Sequence, residues 1–339
     1  MTAARPSLLV VIVNYRTPRL VVECLRSLQT EVLALPGTTV TVVDNASGDD
    51  SLPTIGAAIR DHGWTWATLL PSPHNGGFAA GNNLAIRQAL AQSTPPDVVW
   101  LLNPDTVVEP GALAALADFF AARPQVGICG GRILEADRQP WLVALRFPGI
   151  LSEFERGFEF GPVSRMLRRW AVRQPIGEEP MRVDWVSGAT MAIRRSTFER
   201  IGLLDERYFL YYEETDFCLR AHRAGIECWQ LPQSRIVHIA GQSTQVTRKD
   251  APPRRIPAYW FQSRRRYFAK NHGRVYAMIA DLAWLLAHGL GSLRRLVQQK
   301  PAERPPKLVA DFLRHSALWH AHDEAGEPGA PAAAVRETA

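Results

Sequence analysis

Leu101-Leu102-Asn103-Pro104-Asp105-Thr106, entered from the apolar run Val98-Val99-Trp100, decides how the rest of the chain is read. Consecutive apolar residues with β-branched content predict a strand buried on both faces, and Asn-Pro-Asp predicts its end, because proline has no N–H to give to a ladder. Asp105 therefore stands just past the carboxyl end of a buried strand. In open α/β sheets ligands bind along that edge, where one carboxylate can hold a divalent cation whose other ligands are phosphate oxygens and water. A second reading is purely local: Asn103 and Asp105 form an Asx-type turn and cap a helix that starts near Pro110.

The same pattern recurs upstream. Leu8-Leu9-Val10-Val11-Ile12-Val13 is an unbroken apolar run ending at Asn14-Tyr15-Arg16, and Thr39-Val40-Thr41-Val42-Val43 ends at Asp44-Asn45-Ala46-Ser47-Gly48. Between them Thr17 caps a helix with Pro18 at its first position and Leu20, Val21, Cys24, Leu25 and Leu28 on one face. Strand, helix and strand in that order make a right-handed crossover, so Asp44 and Asn45 share an edge with Asp105. A helix over 51–59 and a strand near 66–70 lead to a glycine-rich loop, 71–83, which holds Asn75-Gly76-Gly77 and Asn82 and runs into a helix. Such glycines let backbone amides approach an anion at a helix start, although a turn with a helix cap accounts for them equally well. It is no dinucleotide fingerprint, because Phe78 takes the place of a second loop glycine. A helix from Pro110 to Ala122 and a short strand at Val126–Cys129 complete three turns of alternation, which predicts an α/β, Rossmann-like nucleotide-binding sheet.

Past Gly131 the regularity stops. Residues 132–182 scatter aromatics and arginines without periodicity and read as a partly mobile insertion shaping an acceptor site. Two strand-like pieces surround Ser187-Gly188, a short helix covers 196–201, and Glu213-Glu214-Thr215-Asp216 opens a helix that stops at Gly225. Three acids in a first turn suit the helix dipole, but the aromatic approach Tyr208–Tyr212 would also desolvate a carboxylate and raise its basicity. Ile226–Trp229 and Ser234–His238 read as two short strands, with His238 leaving an apolar strand as Asp105 does, either as a structural histidine or as a ligand.

At 339 residues with 46% hydrophobic and 21% charged side chains, the chain has the composition of a globular protein and can bury a large core. A net charge of +6, concentrated after residue 160, suits contact with phosphates or an acidic membrane face. Nothing in it calls for nucleic acid. Cys24, Cys129, Cys218 and Cys228 lack metal-type spacing and read as reduced thiols, and the apolar run at 8–13 is too short for a signal peptide, so a cytoplasmic protein is expected. Tyr259–Lys270 alternates aromatics with cations, whose arginines either bind diphosphate or lipid phosphate or form a solvated face. Val275–Leu296 is apolar but interrupted by Asp281 and His288, which suits a helix lying on the inner face of the membrane, or packing on the protein, better than a span. Beyond Glu324 the Gly-, Pro- and Ala-rich end predicts disorder.

Val11–Tyr15, Val42–Ser47, Asn75–Asn83, Leu102–Asp105, Ser187–Ala189 and Tyr212–Asp216 with His238, taken together and in this order, resemble glycosyltransferase family 2, in its rhamnosyltransferase-like branch. The resemblance spans residues 7–270. It implies a GT-A-type fold: a nucleotide-sugar half at 1–131, an acceptor half at 132–245, C-terminal helices at 246–300 and a tail at 301–339. It also implies inverting transfer from a dTDP- or UDP-activated sugar to a hydroxyl of a glycan or polyprenyl-linked acceptor, in synthesis of a cell-surface polysaccharide at the membrane. By position, Asp44 resembles the acid that contacts the nucleotide base, with Asn14 and Asn45 beside it. Asn75, Gly76, Gly77 and Asn82 resemble the loop lining the nucleotide sugar. Asp105 resembles the last acid of the metal motif, and His238 the histidine that completes binding of Mg2+ or Mn2+. Asn103 stands where many relatives carry the first acid. Glu214 falls where the family has its aspartate base, so the base is Glu214 or its neighbour Glu213, with Asp216 beyond. Two other readings compete: a nucleotidyltransferase that makes a sugar nucleotide, and a non-catalytic nucleotide-sugar-binding subunit.

Overall fold

The computed structural model describes residues 4–141, 144–238, 253–300 and 304–320. The expected disordered tail lies outside them. The chain opens with β1 (Leu8–Asn14), α1 (Pro18–Ala34), β2 (Thr38–Asp44), α2 (Ser51–Asp61), β3 (Ala67–Pro71), α3 (Gly77–Leu90) and β4 (Val98–Leu102). It continues through β5 (Thr106–Val108), α4 (Ala112–Ala122), β6 (Val126–Leu134), β7 (Ala144–Leu145), α5 (Ile150–Phe158), α6 (Gly161–Met166), β8 (Arg173–Gln174) and β9 (Met181–Arg182). The last elements are β10 (Thr190–Arg194), α7 (Arg195–Ile201), α8 (Glu213–Arg223), β11 (Glu227–His238), α9 (Ala258–His272), α10 (Arg274–Val297) and α11 (Leu308–Arg314).

One nine-stranded sheet runs β3-β2-β1-β4-β10-β6-β11-β5, with β9 paired to β11. Strands β1 to β4 are parallel, β10 is antiparallel to both neighbours, and β6 and β11 are parallel again. The apolar runs are explained by two cores. Leu8, Val10, Ile12, Trp100 and Leu102 face α1, α2 and α4, whereas Leu9, Val11, Val99 and Leu101 face α3, α7 and α8. Each large side chain so buried contributes about 1.5–3 kcal/mol, which makes the register of β1 against β4 costly to slip. The indole of Trp100, fully buried, donates from Nε1 to Thr190 Oγ1 at 3.0 Å and ties β4 to β10. Because the strand order reverses between β1 and β4, the loops after these strands diverge and leave a crevice at their carboxyl ends.

Several local expectations need correction. Thr17 sits at the N-cap position with Pro18 after it, but its hydroxyl donates to Asn14 Oδ1 at 3.1 Å instead of capping α1. Strand β6 extends to Leu134, and Glu227–His238 form one strand, not two, with a shift of register between Leu231 and Arg235. Pro232 lies in that irregularity and lacks the N–H a ladder needs, which is why the sequence reads as broken there. Within 132–182 the described residues are folded: α5 packs along α10, and β7 pairs with β8. Glycines at the α5–α10 crossing allow this, since a Cβ on Gly157 would stand 2.7 Å from Trp284 O and one on Gly291 2.7 Å from Phe158 O.

Candidate active site

Asp105 follows β4 as a 5%-exposed carboxylate, and His238, the last residue of β11, reaches it with Nε2 3.1 Å from Oδ1. The pairing of His238 with Thr106 across β11 and β5 sets this approach. Asn103 Nδ2 lies 3.4 Å from the same imidazole nitrogen. The local alternative for Asp105, capping the helix after Pro110, is taken by another residue. Glu31 of α1, itself buried, accepts from Gly111 N at 2.8 Å and Leu113 N at 2.9 Å and so caps α4. Asp105 and His238 are thereby left to each other, an oxygen and a nitrogen donor that suit a divalent cation completed by phosphate oxygens and water. Among the described residues no group of three or more His, Cys, Asp or Glu could hold a metal by protein ligands alone.

At the ends of β1 and β2, Asp44 accepts from Asn14 Nδ2 at 2.7 Å, Ser47 Oγ at 2.6 Å and Ser47 N at 3.2 Å. Asn14 is fully buried and its Oδ1 holds Thr17 N, so it orients Asp44 from behind. Asn45 donates to Asn75 Oδ1 at 2.9 Å and to Gly77 O at 3.0 Å, fastening the glycine loop to β2, while its own Oδ1 is buried without a hydrogen-bond partner. Asn82 turns back into α3, donating to Phe78 O at 2.9 Å, which makes it a brace within the helix. Gly77 has φ +81° and its missing Cβ would overlap Phe209 O at 1.9 Å, so only glycine lets the loop meet the 203–212 segment, where Phe78 N donates to Phe209 O at 2.9 Å. Beside Asp44, Arg16, Thr17, Arg19, Asp49, Asp50 and Thr54 line a cleft of about 580 Å³.

Glu213 and Glu214 begin α8 after Tyr211 and Tyr212, consecutive residues with φ of 70° and 69°. Two non-glycine residues in the left-handed region cost free energy that the surroundings must offset. Here α9 does so: Tyr211 stacks on Tyr259, Tyr212 packs on Tyr267 and Trp260, and Ser263 Oγ donates to Leu210 O at 3.0 Å. The backbone N–H groups of Glu214, Gly188 and Thr215 lie on the side of the Glu214 carboxyl and favour its ionised form. Burial pushes its pKa up, with those amides pulling the other way. Glu213 is more deeply buried and is raised further, by burial first and then by the charge of Glu214; one oxygen of each carboxyl has no partner. Of the pair, Glu213 holds its proton the more tightly. Gly188 leaves no room for a side chain against Phe78, and Ala189 next to it accepts from Asn103 N at 3.2 Å.

Asp216 does not join them. It is fully buried and bound by Arg220 (3.0 Å), Lys270 (2.7 Å), Asn271 (2.8 Å) and Tyr208 (3.3 Å), so its carboxylate anchors α8 to α9 and is spent there. Two of the three arginines of α9 are likewise engaged within the protein. Arg264 joins Glu153 of α5 to Asp281 of α10, and Arg266 pairs with Asp205 at 3.0 Å. These two corrections share a cause: apolar surroundings hide charges that a sequence shows as available. Glu31 and Phe209 are contributors that the sequence does not single out; a lone acid on the apolar face of α1 is the one visible sign. All four cysteines are buried free thiols.

Comparison with known proteins follows the same lines. Residues 6–269 match the family described as "Glycosyltransferase like family 2". N-acetylglucosaminyl-diphospho-decaprenol L-rhamnosyltransferase of Mycobacterium tuberculosis is 29% identical over 261 residues, which cover 73% of this chain and 77% of that protein. Rhamnosyltransferase WbbL of Escherichia coli is 27% identical over 168 residues, 48% of this chain and 61% of that one. Among solved structures, the mannosyltransferase PcManGT from Pyrobaculum calidifontis, in complex with GDP-Man and Mn2+, superposes with a TM-score of 0.53 at 18% identity, covering 94% of this chain and 82% of that one. GalNAc-T7 with UDP, GalNAc and Mn2+ gives 0.56 at 14% identity, covering 92% and 58%. At such identities these two likenesses concern the fold.

Proposed function

Because this chain belongs to glycosyltransferase family 2, we propose that it transfers a sugar, rhamnose or a close relative, from a nucleoside diphosphate sugar to a hydroxyl of a lipid-linked glycan, with inversion. Membership in the family makes it a glycosyltransferase and leaves the nucleotidyltransferase reading without support. The observation that carries the assignment of roles is the Ser187–Ala189 turn. Its Gly188 amide acts on the Glu214 carboxyl and its Ala189 O holds Asn103 at the end of β4, which supports reading the basic carboxylate and the Asp105–His238 pair as parts of one site. A non-catalytic subunit has no use for that arrangement.

Glu214 is the general base. Its raised pKa makes it a better proton acceptor than an exposed carboxylate. Glu213, whose pKa burial and the charge of Glu214 raise further, is the less ready of the two to ionise. One displacement with one base inverts the anomeric carbon and needs no covalent intermediate. The diphosphate belongs at Asp105 and His238, the residues that would hold Mg2+ or Mn2+. When bound, the cation supplies Lewis-acid stabilisation of the leaving diphosphate. The nucleoside lies toward Asp44 and the cleft beside it, whose volume is within the range of small-molecule sites. The decaprenol-linked acceptor named for the Mycobacterium relative makes a polyprenyl-linked glycan at the inner face of the membrane the acceptor of choice here.

A thermal-shift panel of dTDP- and UDP-sugars, with and without Mn2+, tests the reading. A native-state ligand at about a hundred times its Kd stabilises by about 2.7 kcal/mol, enough to raise the melting temperature by several degrees. At least one nucleotide sugar is expected to do so more strongly with Mn2+, and no response to any of them refutes the proposal.

A further inference from the structure

Helix α10 is long and apolar enough to cross a membrane, but its two faces have different fates. One face is buried against α5 and α9, with Asp281 held by Arg264 and Ser316, and His288 stacked on Trp284. The other carries Val275, Ile279, Leu282, Leu286, Leu290 and Leu293, which are 43–71% exposed at three- and four-residue spacing. From Val275 to Leu293 every exposed position on the helix is apolar or glycine. The stripe is about 27 Å long at 1.5 Å per residue. A helix fastened along one side by buried ionic contacts cannot traverse a bilayer, yet its outer side is too continuous an apolar surface for water.

The neighbouring element gives the surface its sign. Arg294 on the last turns of α10 donates to Glu159 O and stacks over Phe160, the residue that opens α6, at 4.3 Å. Within and just after α6, Arg165, Met166, Arg168, Arg169 and Trp170 are all exposed, Met166 by 70% and Trp170 by 49%. The acid beside them, Glu159, is paired with Arg295. Three arginines around an exposed methionine and tryptophan form a cationic, amphipathic edge at one end of the aliphatic stripe.

We propose that the α10 stripe and the Arg165–Trp170 turn form one docking face for a bilayer containing anionic phospholipid, with α10 lying in the plane of the interface. The inference rests on the reading of the acceptor as lipid-linked and adds the surface and the lipid chemistry. Aliphatic side chains enter the boundary of the acyl chains, Trp170 sits at headgroup level, and the arginines meet the surface charge. A second copy of the chain is the competing occupant. It fits less well, because the positions flanking the stripe, among them Met278, Ala283 and Leu285, lack the charges that set register between paired helices.

Flotation of the full chain with vesicles of phosphatidylcholine, alone or mixed with phosphatidylglycerol, separates the cases. Wild type is expected to float with the mixed vesicles. The R165Q/R168Q/R169Q variant should lose partitioning onto them by about a hundredfold, at roughly fivefold for each cation near the surface, and change little on phosphatidylcholine. The L282E/L286E/L293E variant should float with neither. Both substituted sets are at exposed positions, and unchanged melting temperatures verify the fold. Equal flotation of wild type and the arginine variant on the mixed vesicles overturns the proposal. So does wild type that stays in the aqueous layer, or a leucine variant whose sole effect is to turn a dimer into a monomer in light scattering. The nucleotide-sugar thermal shift, read on the same samples, is expected to persist in every variant. Vesicle binding without any nucleotide-sugar response would sink the assigned function and leave the docking face standing.

Discussion

Arg264→Met should destabilise the protein by about 3–5 kcal/mol near neutral pH, the usual cost of removing one partner from a buried ion pair. Arg264 is 3% exposed and donates to Glu153 Oε2 from Nε at 2.9 Å and Nη2 at 2.7 Å, and to Asp281. Methionine keeps the volume but leaves two buried acids short of a cation. Asp281 retains Ser316 Oγ at 2.5 Å and Ala317 N at 2.7 Å, whereas Glu153 retains only Arg156, whose side chain is 37% exposed. The loss is a large part of a typical stability of about 5–15 kcal/mol and corresponds to a melting temperature lower by roughly 6–15 °C. Burial alone would raise the Glu153 pKa, but Arg156 and Arg264 outweigh it and hold the carboxyl below its ordinary range. Its contribution is therefore present above the unfolded pKa and lost as pH falls through the depressed folded value. In the variant burial prevails, the carboxyl protonates more readily, and the penalty is relieved by acid. The two stability curves should be farthest apart near pH 7 and converge toward pH 4, as read by urea unfolding at each pH. A loss below about 1 kcal/mol, or a gap that does not change with pH, would show that the network is solvated and the reasoning wrong.

Glu214→Gln should lower kcat by about 10²–10⁴-fold with the KM for the nucleotide sugar little changed, measured with any donor that the thermal-shift panel identifies. Since the base acts when ionised and burial raises its pKa, the acidic limb of the wild-type rate profile is expected above the ordinary glutamate range, with activity rising as pH rises through it; a limb at or below that range contradicts the assignment. Asp105→Asn should abolish the part of the UDP or dTDP thermal shift that depends on Mn2+, while a full Mn2+ effect in the variant would remove Asp105 from the metal site. Gly77→Ala puts a Cβ on Phe209 O at φ +81°. At about 1 kcal/mol for the backbone and about 1 kcal/mol for the Phe78–Phe209 hydrogen bond, it should cost roughly 2 kcal/mol in denaturant unfolding and weaken nucleotide binding more than Ala80→Gly does.

Which strands are buried on both faces, where they end, and hence that Asn14, Asp44 and Asp105 stand on one sheet edge, was written in the sequence. Runs such as Leu8–Val13 and Val98–Leu102 admit no other comfortable placement, and their polar stops mark the carboxyl ends. The motifs in their order were enough for the family. What partners the charges was decided by the tertiary structure. Glu213, Glu214 and Asp216 look equivalent along the chain, yet contact with Lys270 and Arg220 consumes Asp216, while burial sets the other two apart from an exposed carboxylate. Arg264 reads as a cation offered to phosphate and is in fact held by Glu153, and it is the packing of α10 that turns Asp281 and His288 inward and leaves an aliphatic side to solvent. Hydrophobic periodicity is a local property and survives in one dimension. Electrostatic pairing depends on which distant side chains share a desolvated space, and only the packed chain determines that.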